Sequence, residues 1–250
     1  VFYYLFDRSL NSYNLVVTGI SGSGKSTLVK KMLLDYIEMG IKVIGLDTDS
    51  STDKGEYSLA AESVNGINIE INSNSNTILN PFDVDIEMVY DKLTDRETRT
   101  LNLTEKILDA TYILLTMARG IDNTGNINDI TRQIIQDIVA EEYERLEIYN
   151  NDPDSLYTTG QMLKDNKLTS GLVRKEMPTL SSWYKSLCEK AKENTNPTYA
   201  YHYDYLVMVM KDWVRGVGTR PYFDGQSTVK FDTSIPFINI DIHKSHESFE

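Results

Sequence analysis

One stretch near the start of the chain constrains the possible fold more than any other: Gly19-Ile20-Ser21-Gly22-Ser23-Gly24-Lys25-Ser26. It fills every fixed position of the pattern G-x-x-x-x-G-K-[ST], in which successive backbone N–H groups point inward and wrap a phosphate. Gly22 and Gly24 keep side chains out of the loop and permit dihedrals that other residues avoid. Such a loop joins a buried strand to a helix N-terminus, whose dipole favours an anion. The stretch therefore predicts an α/β fold with a phosphate site.

The residues on both sides of this loop have the patterns that a strand and a helix require. The apolar, β-branched run 15–18 predicts a buried strand. After the loop, apolar residues recur at helical spacing up to Ile37, and Gly40 is suited to end the helix. The apolar run 41–46, followed by Asp47, predicts a second strand. Together these elements predict a βαβ unit with a right-handed crossover.

The chemistry of the loop assigns roles to its side chains. Lys25 places a positive charge against the β- and γ-phosphates and is a catalytic candidate, and the Ser26 hydroxyl is placed to ligate a metal. Thr27 lies on the α-phosphate side. The predicted cofactors are therefore ATP and Mg²⁺. The predicted nucleotide-binding residues are contiguous: Gly19, Gly22, Ser23, Gly24, Lys25, Ser26 and Thr27.

Four carboxylates follow the second predicted strand: Asp47, Asp49, Asp53 and Glu56. Their spacing does not match a calcium-binding EF-hand loop. We interpret them as part of a loop at the carboxyl edge of the sheet, the edge where α/β proteins bind ligands. Asp47 and Glu56 are therefore catalytic candidates that would touch the metal or its waters. A solvated acidic loop remains the alternative for each of them.

Composition limits the classes of function. The chain has 250 residues and a net charge of −12, with Lys and Arg scattered and no basic stripe, so direct nucleic-acid binding is not indicated. The single cysteine, Cys188, excludes an internal disulfide. No apolar run approaches a membrane span. We expect a cytoplasmic protein. Because the chain opens and closes near strand-like runs without an initiator Met, we expect a fragment.

The pattern becomes mostly helical after Val84 and stays so to about Arg215. Predicted helices lie in 94–119, after an Asn128 cap, in 161–168, after Thr179 or Ser181, and from Asn196-Pro197. The tyrosines that alternate between 199 and 205 also fit a strand or a base-stacking platform, but we favour a packed helix. The flanks contribute a short helix at 59–64, a strand at 67–71 near a sheet edge and a final strand at 237–242.

These patterns predict a discontinuous arrangement of two domains. Residues 1–83 and 216–250 form an incomplete nucleotide-binding core, and residues 84–215 form an inserted helical subdomain. His243 and His246, together with Asp241 and Glu247, suggest a metal site by composition, but their spacing matches no strong metal-binding pattern. Ser26 is therefore the metal ligand that the sequence predicts.

Several stretches taken in order resemble one family, the large conjugative-transfer ATPases of type IV secretion systems, which are VirB4-like. The stretches are the phosphate loop, the strand ending at Asp47, Gly55-Glu56-Tyr57, Asn80-Pro81-Phe82, Met177-Pro178-Thr179-Leu180 and Phe223-Asp224-Gly225. The resemblance implies a RecA-like P-loop NTPase sheet with an inserted all-α subdomain. It also implies ATP hydrolysis, homo-oligomers (hexamers), and docking on the inner face of the cell membrane through channel and coupling proteins of the secretion system.

The sequence departs from the family in one respect. The family carries an apolar strand ending in Asp-Glu, the Walker B element, and these 250 residues contain no Asp-Glu pair. The run from Phe237 to Asp241 matches an earlier strand of the family. We therefore expect that Walker B, the arginine finger and the N-terminal domain lie outside this chain, and that the chain alone is a weak or inactive ATPase.

Two other readings of the function remain open from the residues. One is a DNA-translocating ATPase of the coupling-protein or HerA/FtsK type, which would require basic pore loops that this acidic sequence does not show. The other is a non-catalytic module that binds a nucleotide in order to assemble.

Overall fold

The computed structural model describes residues 14–48, 55–71, 76–91, 95–119, 128–164, 167–229 and 234–242. The chain divides into two compact units, one formed by residues 1–75 with 231–250 and the other by residues 76–230. The predicted boundaries at 83/84 and 215/216 both lie inside the second unit. The helices and strands are, in chain order, α1 (Lys25–Glu38), β1 (Val43–Asp47), α2 (Ser58–Ser63), β2 (Ile67–Glu70), β3 (Glu87–Asp91), β4 (Arg96–Thr100), α3 (Leu103–Arg119), α4 (Asp129–Arg145), β5 (Tyr157–Lys164), β6 (Lys167–Arg174), α5 (Leu180–Glu193), α6 (Pro197–Met210) and β7 (Phe237–Asp241).

The first unit is built on a parallel sheet with the strand order β1-β7-β2. The register places Asp241 of β7 between Asp47 of β1 and Glu70 of β2. All three strands therefore bring their carboxyl ends to one edge of the sheet, as predicted. Among the strands that the structure describes, β2 takes an edge position, which confirms the prediction for this segment.

Helix α1 follows the phosphate loop as predicted and ends before Gly40, whose φ of 81° is in the left-handed region that favours glycine. The strand predicted for 15–18 is wrong, because residues 14–20 form no strand. Leu15 and Val16 are 49% and 82% exposed. An apolar, β-branched run favours a strand only where a neighbouring strand supplies hydrogen bonds, and the described sheet supplies none to this segment.

The second unit contains the large hydrophobic core. Helices α3, α4, α5 and α6 contribute most of its buried residues, with Trp183 and Tyr143 the largest. The expectation that this part is all-α is wrong, because β3 pairs with β4 and β5 pairs with β6 in two antiparallel hairpins. These hairpins stay separate from the parallel sheet in the described chain.

Two predicted helices in this unit differ in the structure. The described residues of the segment predicted as a helix at 161–168 belong to β5 and β6, where Gly160 lies opposite Gly171. The hydrogen bonds between the two strands, which short-range helical spacing does not reveal, determine the structure of this segment. The helix predicted from Thr94 begins only at Leu103, because the Asn102 side chain accepts a hydrogen bond from the Glu105 N–H at 3.2 Å and residues 96–100 form β4.

The predicted helix starts are confirmed where a capping side chain was identified. Asn128, Thr179 and Asn196 each accept a hydrogen bond from a backbone N–H in the first turn of α4, α5 and α6. The segment with alternating tyrosines is therefore a helix, and the Tyr205 hydroxyl donates to the Ala118 carbonyl at 2.8 Å within the core. The final strand predicted for 237–242 is also confirmed and ends one residue earlier, at Asp241, whereas His243 and His246 lie outside the described residues.

Across the part of the chain that the structure describes, no helix combines the length and the apolar character needed to cross a membrane.

Candidate functional site

The phosphate-loop sequence adopts a backbone that only glycine accommodates without strain. Gly22 and Gly24 have φ values of 74° and 85°, in the left-handed region. An added Cβ at either position would have no heavy atom within 4 Å, so the space beside both glycines is open. At Gly19, by contrast, a Cβ would lie 2.6 Å from the Ser23 Oγ, because the loop turns back on itself there.

The start of α1 leaves hydrogen-bond donors for an external acceptor. Gly24 is the N-cap residue and has no side chain that could accept a hydrogen bond from the first turn. The first hydrogen bond of the helix runs from the Leu28 N–H to the Gly24 carbonyl at 2.9 Å. The N–H groups of residues 25–27 therefore have no acceptor within the helix, and the helix dipole adds positive potential at the same place.

The side chains at this helix start also suit a phosphate and its metal ion. The Lys25 ammonium group is exposed and donates to the Ile20 carbonyl of the loop at 2.9 Å. Ser26 is half-buried and Thr27 is exposed in the same turn. A cation, a hydroxyl group and N–H groups that have no acceptor within the helix lie beside the open loop. The residues present therefore fit a nucleotide phosphate with Mg²⁺.

Glu56 is connected to the phosphate-loop helix by an ion pair that the sequence did not indicate. The Lys30 Nζ of α1 lies 3.4 Å from the Glu56 Oε1, and the two side chains are 32% and 27% exposed. The same ammonium group lies 5.4 Å from the centre of the Tyr57 ring. The partner of Lys30 therefore comes from a loop 26 residues further along the chain.

Asp47 and Asp241 lie side by side at the carboxyl ends of β1 and β7, and each is 2% exposed. Asp47 Oδ2 accepts a hydrogen bond from the Tyr57 N–H at 3.0 Å. Asp241 Oδ2 accepts one from the Gly55 N–H, also at 3.0 Å. The sequence singled out Asp241 only for a metal site with His243, His246 and Glu247, and its position beside Asp47 was not foreseen. Its place at the end of a predicted parallel strand, like that of Asp47, could have indicated this position.

The electrostatic environment of this loop disfavours further negative charge. Burial raises the pKa of the Tyr57 hydroxyl above its ordinary value, and the nearby carboxylates of Glu56 and Asp47 raise it further. Tyr57 therefore stays protonated at neutral pH. Among the described residues, no cluster of three or more His, Cys, Asp or Glu side chains could hold a metal ion by itself.

The other family-like stretches meet inside the second unit and stabilise its fold. The Asn80 amide donates to the Pro178 carbonyl at 2.8 Å, and Asp224 accepts from the Ser181 N–H at 2.8 Å. The Gln226 side chain both donates to and accepts from the Met177 backbone. Three stretches far apart in sequence are thus joined by buried and partly buried hydrogen bonds, which indicates a structural role for them.

A parallel sheet with a glycine-rich loop leading into a helix defines the class of P-loop α/β proteins. Comparison with solved structures agrees, since the chain matches a structure described as VirB4 of Thermoanaerobacter pseudethanolicus with a TM-score of 0.58. The match has 22% sequence identity and covers 90% of this chain and 48% of that one. No family model and no curated protein sequence matches the chain.

At 22% identity this match shows the fold. The resemblance to VirB4-like proteins that the sequence indicates is therefore confirmed at the level of the fold. The chain spans about half the length of the VirB4 structure, at 48%. The roles of the predicted site residues are not tested by this likeness and stay predictions.

Proposed function

We propose that this chain is the nucleotide-binding part of an ATPase that serves a conjugation or type IV secretion machine. The observation that carries the proposal is the loop 19–27, which is open beside Gly22 and Gly24 and leads into the uncapped start of α1. The likeness to the fold of VirB4 supports the choice of machine.

The residues of the loop have distinct roles in the proposed site. The backbone N–H groups of Gly22, Ser23 and Gly24 and of the first turn of α1 bind phosphate oxygens. Lys25 leaves the Ile20 carbonyl and pairs with the terminal phosphates. The Ser26 hydroxyl holds Mg²⁺, which when bound neutralises phosphate charge. Thr27 contacts the α-phosphate side, and Gly19 lets the loop close.

Glu56 is the residue that we propose to position the attacking water. It lies on the same unit as the loop and is paired with Lys30, one helical turn beyond the phosphate-binding residues. Asp47 is buried and accepts a backbone hydrogen bond, so it holds the loop that carries Glu56. Lys25 contributes to catalysis by stabilising charge on the phosphates.

The role of the longer protein follows from the resemblance. We propose that it assembles into homo-oligomers, hexamers in this family, and associates with the inner face of the cell membrane through secretion-channel and coupling proteins. Hydrolysis in that protein would power assembly of the machine or movement of its substrate.

Titration calorimetry with Mg·ATP tests the nucleotide site directly. Lys25→Ala removes a charge-assisted contact, typically about 1.5–3 kcal/mol, so we expect affinity to fall roughly ten- to a hundredfold. Lys31→Ala is the matched control, because Lys31 is an exposed lysine of the same helix. It should leave the affinity unchanged. Equal affinities for wild type and Lys25→Ala would refute the assignment.

Phosphate release, measured on the same three proteins, tests the activity. We expect this chain to bind ATP and to turn it over slowly, since an arginine finger alone contributes about 10³–10⁵ in rate and the family's arginine element was not found here. Turnover of about 1 s⁻¹ that Lys25→Ala abolishes would lie in the ordinary enzyme range and contradict this expectation.

A further inference from the structure

The backbone of Gly55 lies directly against two carboxylates, so any larger residue at this position would force them to move. A Cβ at Gly55 would lie 2.4 Å from the Asp241 Oδ2 and 2.7 Å from the Asp47 Oδ2. Both distances are shorter than any real Cβ contact, and both carboxylates are 2% exposed. The chain thus passes over a pair of buried carboxylates, one from each of two adjacent parallel strands.

The two carboxylates hold the backbone on either side of Glu56. Asp241 accepts the N–H of the preceding residue, Gly55, and Asp47 accepts the N–H of the following residue, Tyr57, each at 3.0 Å. A carboxylate removed from water is destabilising unless hydrogen-bond donors surround it. The two N–H groups therefore stabilise the buried carboxylates, and the carboxylates in turn hold the backbone at residues 55 and 57. Glu56 itself is left with its backbone fixed and its side chain 27% exposed.

The Glu56 side chain contacts the helix that follows the phosphate loop. Its carboxylate lies 3.4 Å from the Lys30 Nζ of α1, the helix that begins at Lys25. This ion pair is partly exposed and contributes little energy on its own. The hydrogen bond to Asp241 is buried and the one to Asp47 is partly buried, so both hold the backbone beside Glu56 more firmly than this ion pair does.

We infer that Asp241, acting together with Asp47, is a positioning residue that holds Glu56 toward the phosphate loop. This inference rests on the proposed nucleotide site and names a residue outside the predicted set. Asp241 acts through the Gly55 N–H and does not touch the nucleotide or its metal. Glu70, its register neighbour on β2, is exposed and serves as the matched control at the same sheet edge.

Nuclear magnetic resonance on the whole chain can test this without any turnover. The first observable is amide exchange at Gly55, with Tyr57 as an internal reference bound to the other carboxylate. The second is the ¹³C shift of the Glu56 carboxyl carbon when Mg·ATPγS is added. Calorimetry with the same nucleotide supplies the affinity. The proteins are wild type, Asp241→Ala, Asp241→Asn and Glu70→Ala.

We expect Gly55 exchange in Asp241→Ala to accelerate roughly ten- to a hundredfold, as loss of a hydrogen bond to a charged acceptor implies. The affinity for Mg·ATPγS should stay near the wild-type value, while the response of the Glu56 carbon is lost. Asp241→Asn keeps an acceptor oxygen and should restore part of that response. Glu70→Ala should behave as wild type in every observable.

The positioning role of Asp241 is overturned by any of the following results. If Glu56 responds in Asp241→Ala as it does in wild type, or Gly55 exchange is unchanged, the positioning role is overturned and the nucleotide site stands. If affinity falls together with stability, Asp241 is merely structural and the inference is overturned. If wild type binds no Mg·ATPγS, the proposed function fails and the inference fails with it. If Asp241→Ala does not fold, Asp241→Asn carries the test, and an undiminished Glu56 response overturns the inference.

Discussion

Helices α1 and α4 are similar in length but differ completely in burial. None of the 14 residues of α1 is buried, whereas α4 buries seven of its 17, from Thr131 to Tyr143. The phosphate-binding loop precedes the first helix, and the large core surrounds the second. The candidate site therefore lies on thinly packed structure, whereas the stability of the second unit comes from its core.

The largest effect expected from this comparison is a core substitution in the second unit. Trp183 is fully buried in α5, so Trp183→Ala should lower the free energy of unfolding by about 3–5 kcal/mol. Leu28→Ala in α1, at a side chain that is 52% exposed, should cost far less. Urea unfolding followed by circular dichroism measures both. An equal loss in the free energy of unfolding for the two variants would show that α1 is packed as tightly as α5 and would contradict the difference in burial described above.

A buried carboxylate in α4 gives the next largest effect, and it depends on pH. Glu142 is 2% exposed and accepts hydrogen bonds from Arg145, Ser182 and Ser186. Burial by itself would raise the pKa of Glu142, but these hydrogen bonds and the Arg145 charge outweigh it and hold the pKa below the ordinary 4.5. The resulting stabilisation is therefore present above pH 4.5 and is lost as pH falls through the lower folded-state pKa.

Glu142→Gln should therefore cost about 1–3 kcal/mol at pH 7 and remove this part of the acid dependence. Glu141→Gln is the control, because Glu141 is exposed and pairs with Lys190 at 2.8 Å on the surface. Surface pairs typically contribute only about 0–1 kcal/mol. Urea midpoints measured between pH 3 and pH 7 distinguish the variants. If the midpoints of Glu142→Gln and Glu141→Gln depend on pH in the same way, the hydrogen bonds to Glu142 stabilise the fold no more than the surface pair of Glu141 does.

The smallest effect concerns the start of α6. The Asn196 side chain accepts a hydrogen bond from the Thr198 N–H at 3.0 Å, so Asn196→Ala should cost about 1 kcal/mol. Asn196→Ser keeps an acceptor and should recover most of the loss. Thermal unfolding of the three proteins is sufficient, and a neutral Asn196→Ala would mean that the cap does not contribute to the stability of this helix.

The sequence predicted those parts of the fold that depend on interactions between residues close together in the chain. The loop 19–26, the caps at Asn128, Thr179 and Asn196, and the strand ends at Asp47 and Asp241 each depend on residues within a few positions of one another. The hairpin formed by β5 and β6 was missed because pairing, not periodicity, determines a strand of mixed polar residues.

The relations within the candidate site are different, because long-range contacts create them. Glu56 meets Lys30 across 26 residues, and Gly55 meets Asp241 across 186. No sequence motif spans such separations. The sequence therefore identified Asp47 and Glu56 as candidates, but it could not show that Asp241 lies beside Asp47 or that Lys30 pairs with Glu56. The same reason explains the failed strand at 15–18, since a strand requires partners that its own residues do not specify.

The most direct test of the central claim is residue-resolved hydrogen exchange with and without Mg·ATPγS at about 100 times its dissociation constant. Ligand binding at that excess stabilises the bound region by about 2.7 kcal/mol. Amides of the loop and of α1 should therefore exchange roughly a hundredfold more slowly, and those of α4 should not change. Unchanged exchange in the loop and α1 despite this excess, or equal slowing in α4, would contradict the account.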